Sequence, residues 1–313
     1  MSTPNHDSNN LALFWYWVRE RHLIHTRRQG GMEPPWTDDD VMASYSFTNV
    51  YRELDPGTVF IADMLRDGQA RERPLAEAVM NALAYRLAFH EGSMRALGWL
   101  PTGGEFMDHA PTLCSRLRDH PKPFTGAYVV SNYGRKGPKV DVVMGVLTDI
   151  ATALDGHRWA HTLRAAEMGK LSRADWLTQV QTLYGIGPFV AFQATVDLAY
   201  PLGAFPPWLE HMGNDGYALA GPGALRGLKL LFPDSRPAVA DSLLEWLAAN
   251  QGHTGMDYIS RANLQNCCCE FSKYHKALAT GGRNLRRRFD SRISHFNDKV
   301  ARGHLKQLDL ELP

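Results

Sequence analysis

The stretch Leu183-Tyr184-Gly185-Ile186-Gly187-Pro188-Phe189-Val190-Ala191 limits the fold more than any other in this 313-residue chain. Two glycines around one hydrophobic residue, followed at once by proline, cannot extend a strand or a helix. The glycines permit a tight turn, and proline suits the first position of the next helix. The run before it, Leu171 to Leu183, has a helical period. The prediction is therefore a helical hairpin whose second helix runs over 188–200. Its start offers free N–H groups and a positive dipole end, and Gly185 and Gly187 let a phosphate approach the backbone. A helix-hairpin-helix that grips DNA reads this way, as does a plain turn between packed helices.

The other segments repeat with a helical period, and β-branched runs bounded by turns are scarce. A first helix is expected over Asn10–His25, with Phe14, Trp17 and Val18 on its apolar stripe. Thr37 and the three aspartates after it mark a helix start. Residues Arg73 to Leu97 form one long amphipathic pattern, Tyr128–Lys139 reads as a loop, and a helix follows over Asp141–Leu154. No repeat or low-complexity linker divides the chain. The expected fold class is mainly α: one helical body, open to division into two lobes with a central cleft. The expected segments are an N-terminal helix and connector over 1–35, a helical body over 36–282, and a basic C-terminal segment over 283–313.

Hydrophobic residues make up 44% of the chain, enough for a large core. The apolar run Leu11–Val18 is too short to span a membrane and lacks a leader's charged flank, so a soluble, cytoplasmic protein is expected. The formal net charge is only +1, yet Arg283–Lys306 holds eight Lys/Arg against two acids. That segment, with Arg286, Arg287 and Arg288 at its centre, can neutralise phosphates or simply be a solvated helix. The cysteines, Cys114 and the run Cys267-Cys268-Cys269, contain no Cys-x-x-Cys pair, which argues against a zinc or iron–sulfur site. His157 and His161 lack carboxylate company. No metal site or cofactor is expected.

Three polar blocks could hold chemistry. Tyr45–Thr58 packs Thr48, Asn49, Arg52, Glu53 and Asp55 into what reads as a helix end, an expensive set to bury without purpose. Arg52 suits a phosphate and Asn49 a base edge; a structural Arg52–Asp55 ion pair is the plain alternative. In Gly221-Pro222-Gly223-Ala224-Leu225-Arg226, glycines precede a helix with a cation one turn in, an arrangement that can cradle an anion. In Asn263–Lys276, Glu270 lies one turn from Lys273 and Tyr274. That is a base and phosphate-binding pair, or a surface salt bridge. The Walker spacing Gly-x4-Gly-Lys-Ser/Thr is absent from the sequence.

Taken together, Phe47–Asp55, the Gly185-Ile186-Gly187 hairpin, Gly221–Leu228 and Cys269–Tyr274 resemble the α-glutamyl/putrescinyl thymine pyrophosphorylases. These amino acid:DNA transferases share the helical domain of 5-hydroxymethyldeoxyuridine DNA kinases, and the resemblance spans about residues 36–280. It implies a fold similar to helix-hairpin-helix DNA glycosylases. It also implies a role in phage DNA hypermodification: a phosphate or pyrophosphate on 5-hydroxymethyluracil in DNA is replaced by an amine such as glycine, glutamate or putrescine. Two departures stand out. Glycosylases of this fold keep an aspartate about twenty residues beyond the hairpin, where this chain reads Phe205-Pro206-Pro207-Trp208-Leu209. The family pattern has an aspartate where Ser272 stands.

On this reading the DNA base is flipped out, with Asn49 and Gln193 holding its edge. Arg52, Arg226 and Lys273 stabilise the departing phosphate, and Glu270 or Asp215 accepts the amine's proton. Thr48, Asp55 and Tyr274 complete the substrate site, while Gly185, Gly187, Gly221, Gly223 and Arg286–Arg288 contact DNA. The expected partners are double-stranded DNA and a small amine, with no membrane. A glycosylase acting on a modified base, and a noncatalytic DNA-binding partner of a hydroxymethyluracil DNA kinase, stay open as alternatives.

Overall fold

A computed structural model describes residues 3–126, 130–199 and 216–280. They form helices α1 (Ser8–Gln29), α2 (Asp40–Ser44), α3 (Pro56–Ala70), α4 (Leu75–Leu87), α5 (Glu91–Leu97), α6 (Gly103–Asp119), α7 (Lys139–Asp155), α8 (His157–Glu167), α9 (Arg173–Val180), α10 (Pro188–Ala199), α11 (Pro222–Leu231), α12 (Ala240–Ala249) and α13 (Arg261–Thr280). There is no strand among the described residues, so the mainly α class stands.

The chain divides into two compact units. The first joins residues up to Val59 to those from Tyr217 onward; the second runs from Phe60 to Gly216. Within the first unit, α1 packs against α11 and α13.

In the first unit, α13 is the central helix. It packs most extensively on α11, and also on α1, α2 and α12. Phe14 and Trp17 of α1 meet Phe271 and Tyr274 of α13 as edge-on or tilted ring pairs. Each such buried ring stabilises the fold by about 1.5–3 kcal/mol. Helix α1 runs further than Asn10–His25 because Asp7 caps its start, accepting from the Asn10 N–H, and it stops only at Gly30. The second helix starts later than Thr37: Asp39 is the cap, accepting from Met42 N–H. Thr37 instead accepts from the Asp39 N–H.

The second unit is built on α4, α7 and α10, with α6 against α7 and α9 against α10. The single pattern expected over Arg73–Leu97 is broken at Ala88–His90. His90 caps the shorter helix α5 by accepting from Gly92 N–H, and Ser93 accepts in turn from the His90 N–H. A buried ion pair ties α4 to α10, with Arg86 donating twice to the fully buried Asp197 at 2.5 Å.

The expected hairpin is present as α9, a tight turn over Leu183–Gly187, and α10. Trp176 of α9 donates to Thr195 of α10 at 3.1 Å, locking the two helices. Gly185 has φ +79°, and a Cβ there would approach Val146 at 3.0 Å and the Tyr133 ring at 3.2 Å. Gly185 therefore serves backbone geometry and internal packing. Gly187 has open space around its Cα, and Tyr184 and Phe189 on either side of the turn's end are exposed.

Candidate functional site

In the first unit, residues 47–55 organise a network of buried polar groups that includes Arg21, Asn49, Arg52 and Asn263. This segment is not the helix end that its composition suggests. Residues 46–49 are irregular, and only Arg52–Leu54 makes a single 3-10 turn. Side chains from two helices hold it in place. From α1, Arg21 donates to the Phe47 carbonyl at 3.0 and 3.1 Å and to Asn49 Oδ1 at 2.7 Å. From α13, Asn263 accepts from the Arg52 N–H and donates to Glu53, while Asn266 donates to Thr48.

Asn49 is the loop's internal brace. Its Oδ1 takes the Arg21 bond, its Nδ2 donates to the Leu54 carbonyl, and its backbone N–H donates to Asp55 Oδ1 at 2.8 Å. An amide so engaged has a structural role in the loop. Tyr274 is likewise engaged: it is 1% exposed and its hydroxyl donates to Asp39 at 2.6 Å, so it anchors α13 to the start of α2. Thr48 lies at the surface.

Arg52 is different. It is 6% exposed, its Nη1 is fully buried, and its guanidinium makes no hydrogen bond or ion pair among the described residues. The ion pair with Asp55 is thus not formed, although Asp55 and Glu53 lie close enough to feel the guanidinium's charge. A buried guanidinium without partners is costly to a fold, and such groups recur where a ligand completes the bonding.

The region around Cys269 of α13 collects positive charge. Lys273, Arg226 and Arg52 all act on its thiol, whose pKa is nevertheless raised, first by burial and then by Glu270. Arg226 is exposed at the surface of α11. Lys273 pairs with Glu270, itself only 4% exposed. A Cβ on Gly223 would lie 2.3 Å from Cys269 Sγ, and one on Gly227, inside α11, 2.0 Å from the Cys268 carbonyl oxygen. They are contact points that bring α11 onto α13. Gly221 is the cap residue of α11 and supplies no side chain to its first turn.

The pKa of the Asp55 carboxyl is displaced toward neutrality. Burial pushes it up to about 6, against the lowering effects of the Asn49 N–H, Arg52 and Arg21. A folded pKa above the unfolded one means that, from about pH 4 to 6, the folded chain holds a proton that the unfolded chain has released. Stability therefore falls as pH rises through that window. Asp55→Asn, which keeps the acceptor for Asn49, is expected to flatten this dependence and to raise stability at pH 7 by about 2 kcal/mol. Urea denaturation of both proteins at pH 4, 5, 6 and 7 measures it; parallel pH profiles would contradict it.

The structure thus brings Arg52, Asp55, Glu270, Lys273 and Arg226 into one unit, together with Arg21 and Asn263, which sequence reasoning missed. Arg21 had a signal: it continues the Phe14, Trp17, Val18 stripe toward Ile24, so α1 must bury it. Gln193 is buried on α10 of the other unit. Asp215, Arg286, Arg287 and Arg288 lie outside the described residues. Among the described residues no three His, Cys, Asp or Glu side chains are grouped to hold a metal, and no helix is long and apolar enough to cross a membrane.

Comparison with known proteins gives two similarities. The chain is 24% identical over 327 aligned positions to a 5-hmdU DNA kinase of Bacillus phage SP10, covering 91% of this chain and 49% of that protein. The chain thus spans about half the length of this curated relative. No solved structure matches it. Residues 8–282 match the family described as the helical domain of 5-hmdU DNA kinase, which is most of the chain. The chain belongs to the 5-hmdU DNA kinase helical-domain family.

Proposed function

We propose that this protein acts on DNA in phage thymine hypermodification, replacing the phosphate or pyrophosphate of a 5-(pyro)phosphoryloxymethyluracil with an amine. The observation that carries this reading is Arg52, a buried guanidinium with no bonding partner in a neighbourhood shared with Arg226 and Lys273. Three cations beside the uncapped start of α11 suit an anion more highly charged than a backbone phosphodiester.

In the reaction the carbon–oxygen bond at the 5-methylene breaks and a carbon–nitrogen bond forms. The oxygen leaves with the phosphate, where Arg52 receives the developing charge, supported by Arg226 and Lys273. The amine nitrogen sheds a proton. Asp55, poised near pH 6, is better matched to accept it than Glu270, which already holds Lys273. The α9–α10 hairpin, with its open Gly187 and exposed Tyr184 and Phe189, provides a surface for the DNA backbone in a helix-hairpin-helix manner.

A second reading has support of its own. The matched region is the helical part of a protein named a kinase, and no Walker sequence occurs in these 313 residues. That combination fits a module that presents the modified base to a separate kinase activity. Nucleoside mass spectrometry separates the two. DNA carrying phosphorylated or pyrophosphorylated 5-hydroxymethyluracil is incubated with the protein and a mixture of glycine, glutamate and putrescine. An aminated thymidine is the expected product. Unchanged nucleosides despite DNA binding would favour the presenting module, and an abasic site would identify a glycosylase.

A further inference from the structure

A cavity of about 530 Å³ opens in the first unit between α1 and the turn at residues 252–257. Its size falls within the range of small-molecule sites. Arg19 lines it from α1 and Asp257 from the turn. Neither side chain makes a hydrogen bond or an ion pair among the described residues, although the two have opposite charge and face one cavity. His22 also lines it. Burial and the neighbouring Arg21 lower its pKa, against the opposing pull of Asp257, so it stands neutral near pH 7 and adds no competing charge. Leu23 and Met256 supply apolar lining.

The wall is continuous with the loop described above. Tyr51, the residue before Arg52, packs its ring edge-on to His22 at 5.1 Å and donates its hydroxyl to the Asp257 carbonyl at 2.6 Å. The turn is fixed from its other side, where His253 bonds the Asn250 carbonyl and stands edge-on to Trp15. The cavity is thus a held shape with one cation and one anion left to complement.

We propose that it binds a small zwitterion, with Arg19 taking the carboxylate and Asp257 the ammonium group. A simple anion would meet Asp257 repulsively, and a diamine would meet Arg19 so; only a ligand bearing both charges satisfies both walls. This rests on the amine-transfer reading for its role, since an amino acid is then the natural donor, and the pocket selects amino acids over polyamines.

Isothermal titration of the full chain with glycine and with L-glutamate, using putrescine and acetate as comparators, tests the site without DNA. Saturable binding of an amino acid, and much weaker binding of putrescine and acetate, is expected. Arg19→Met and Asp257→Asn are each expected to weaken it about tenfold, the loss of one charged hydrogen bond. Both residues are exposed, so the variants should fold, which thermal melting checks. Absence of saturable amino acid binding, or binding indifferent to both substitutions, overturns the proposal. Binding that responds to both substitutions without any transfer to DNA would sink the amine-transfer reading and leave the site standing. Transfer with an unaltered KM for the amine in both variants would do the reverse.

Discussion

Arg52→Met is expected to lower amine transfer to modified DNA about 10²- to 10³-fold while changing affinity for the same DNA by less than about twofold. In the folded chain the guanidinium closes no ion pair and donates no side-chain hydrogen bond among the described residues, although Arg52 is 6% exposed. Removing it therefore breaks no internal bond, and stability should change by less than about 1 kcal/mol. Glu53 and Asp55 lose a favourable charge, but both already lean toward the protonated form through burial and can take up a proton. The deficit should fall on the step in which charge develops on the leaving oxygen. Arg52→Lys keeps the charge but not the planar fork, and little activity should return. Single-turnover rates and DNA titrations on the three proteins decide it. A parallel fall in affinity and rate would place Arg52 in the DNA backbone footprint instead.

How much of this was legible in the sequence depends on the range of the interactions concerned. The hairpin was, because Gly185, Gly187 and Pro188 act through local backbone geometry. The helical class was too, since the period of Phe14, Trp17 and Val18 needs no knowledge of what they pack against. The break at His90 was not: a histidine cap is a weak local signal, and the apolar pattern runs through it. Arg52 stood out as an expensive residue, but its lack of a partner is a long-range fact, decided by Asn263 holding its backbone from more than two hundred residues away. A contact 28 residues away hid the meaning of Asn49. Its amide suggested a base edge, whereas Arg21, buried on α1, draws it into the loop's own frame. In Gly221-Pro222-Gly223 the contact of Gly223 with Cys269 was equally hidden. Glycines before a helix look the same in sequence whether they admit an anion or a neighbouring helix.

Gly227→Ala has effects of opposite sign on an open helix and on one pressed against α13. If Gly227 were merely a helical glycine on an open surface, Gly227→Ala would stabilise α11 by about 0.5–1 kcal/mol. Its Cβ would instead lie 2.0 Å from the Cys268 carbonyl oxygen, a backbone atom that cannot rotate away. Helices α11 and α13 must then separate, and the expected result is a loss of about 3 kcal/mol in urea denaturation. Gly223→Ala is the informative companion. Its Cβ meets Cys269 Sγ at 2.3 Å, a side-chain contact, so Cys269→Ala should relieve much of that strain. No side-chain truncation on α13 should rescue Gly227→Ala in the same way, and a double-mutant cycle reads the difference as a coupling energy. Separation of these helices also draws Arg226 away from Cys269 and Lys273. Gly227→Ala protein that remains folded at low temperature should consequently transfer amine more slowly, with its DNA affinity intact. A stabilised Gly227→Ala protein would mean that α11 does not sit this close to α13, and the grouping of Arg226 with Arg52 would fall with it.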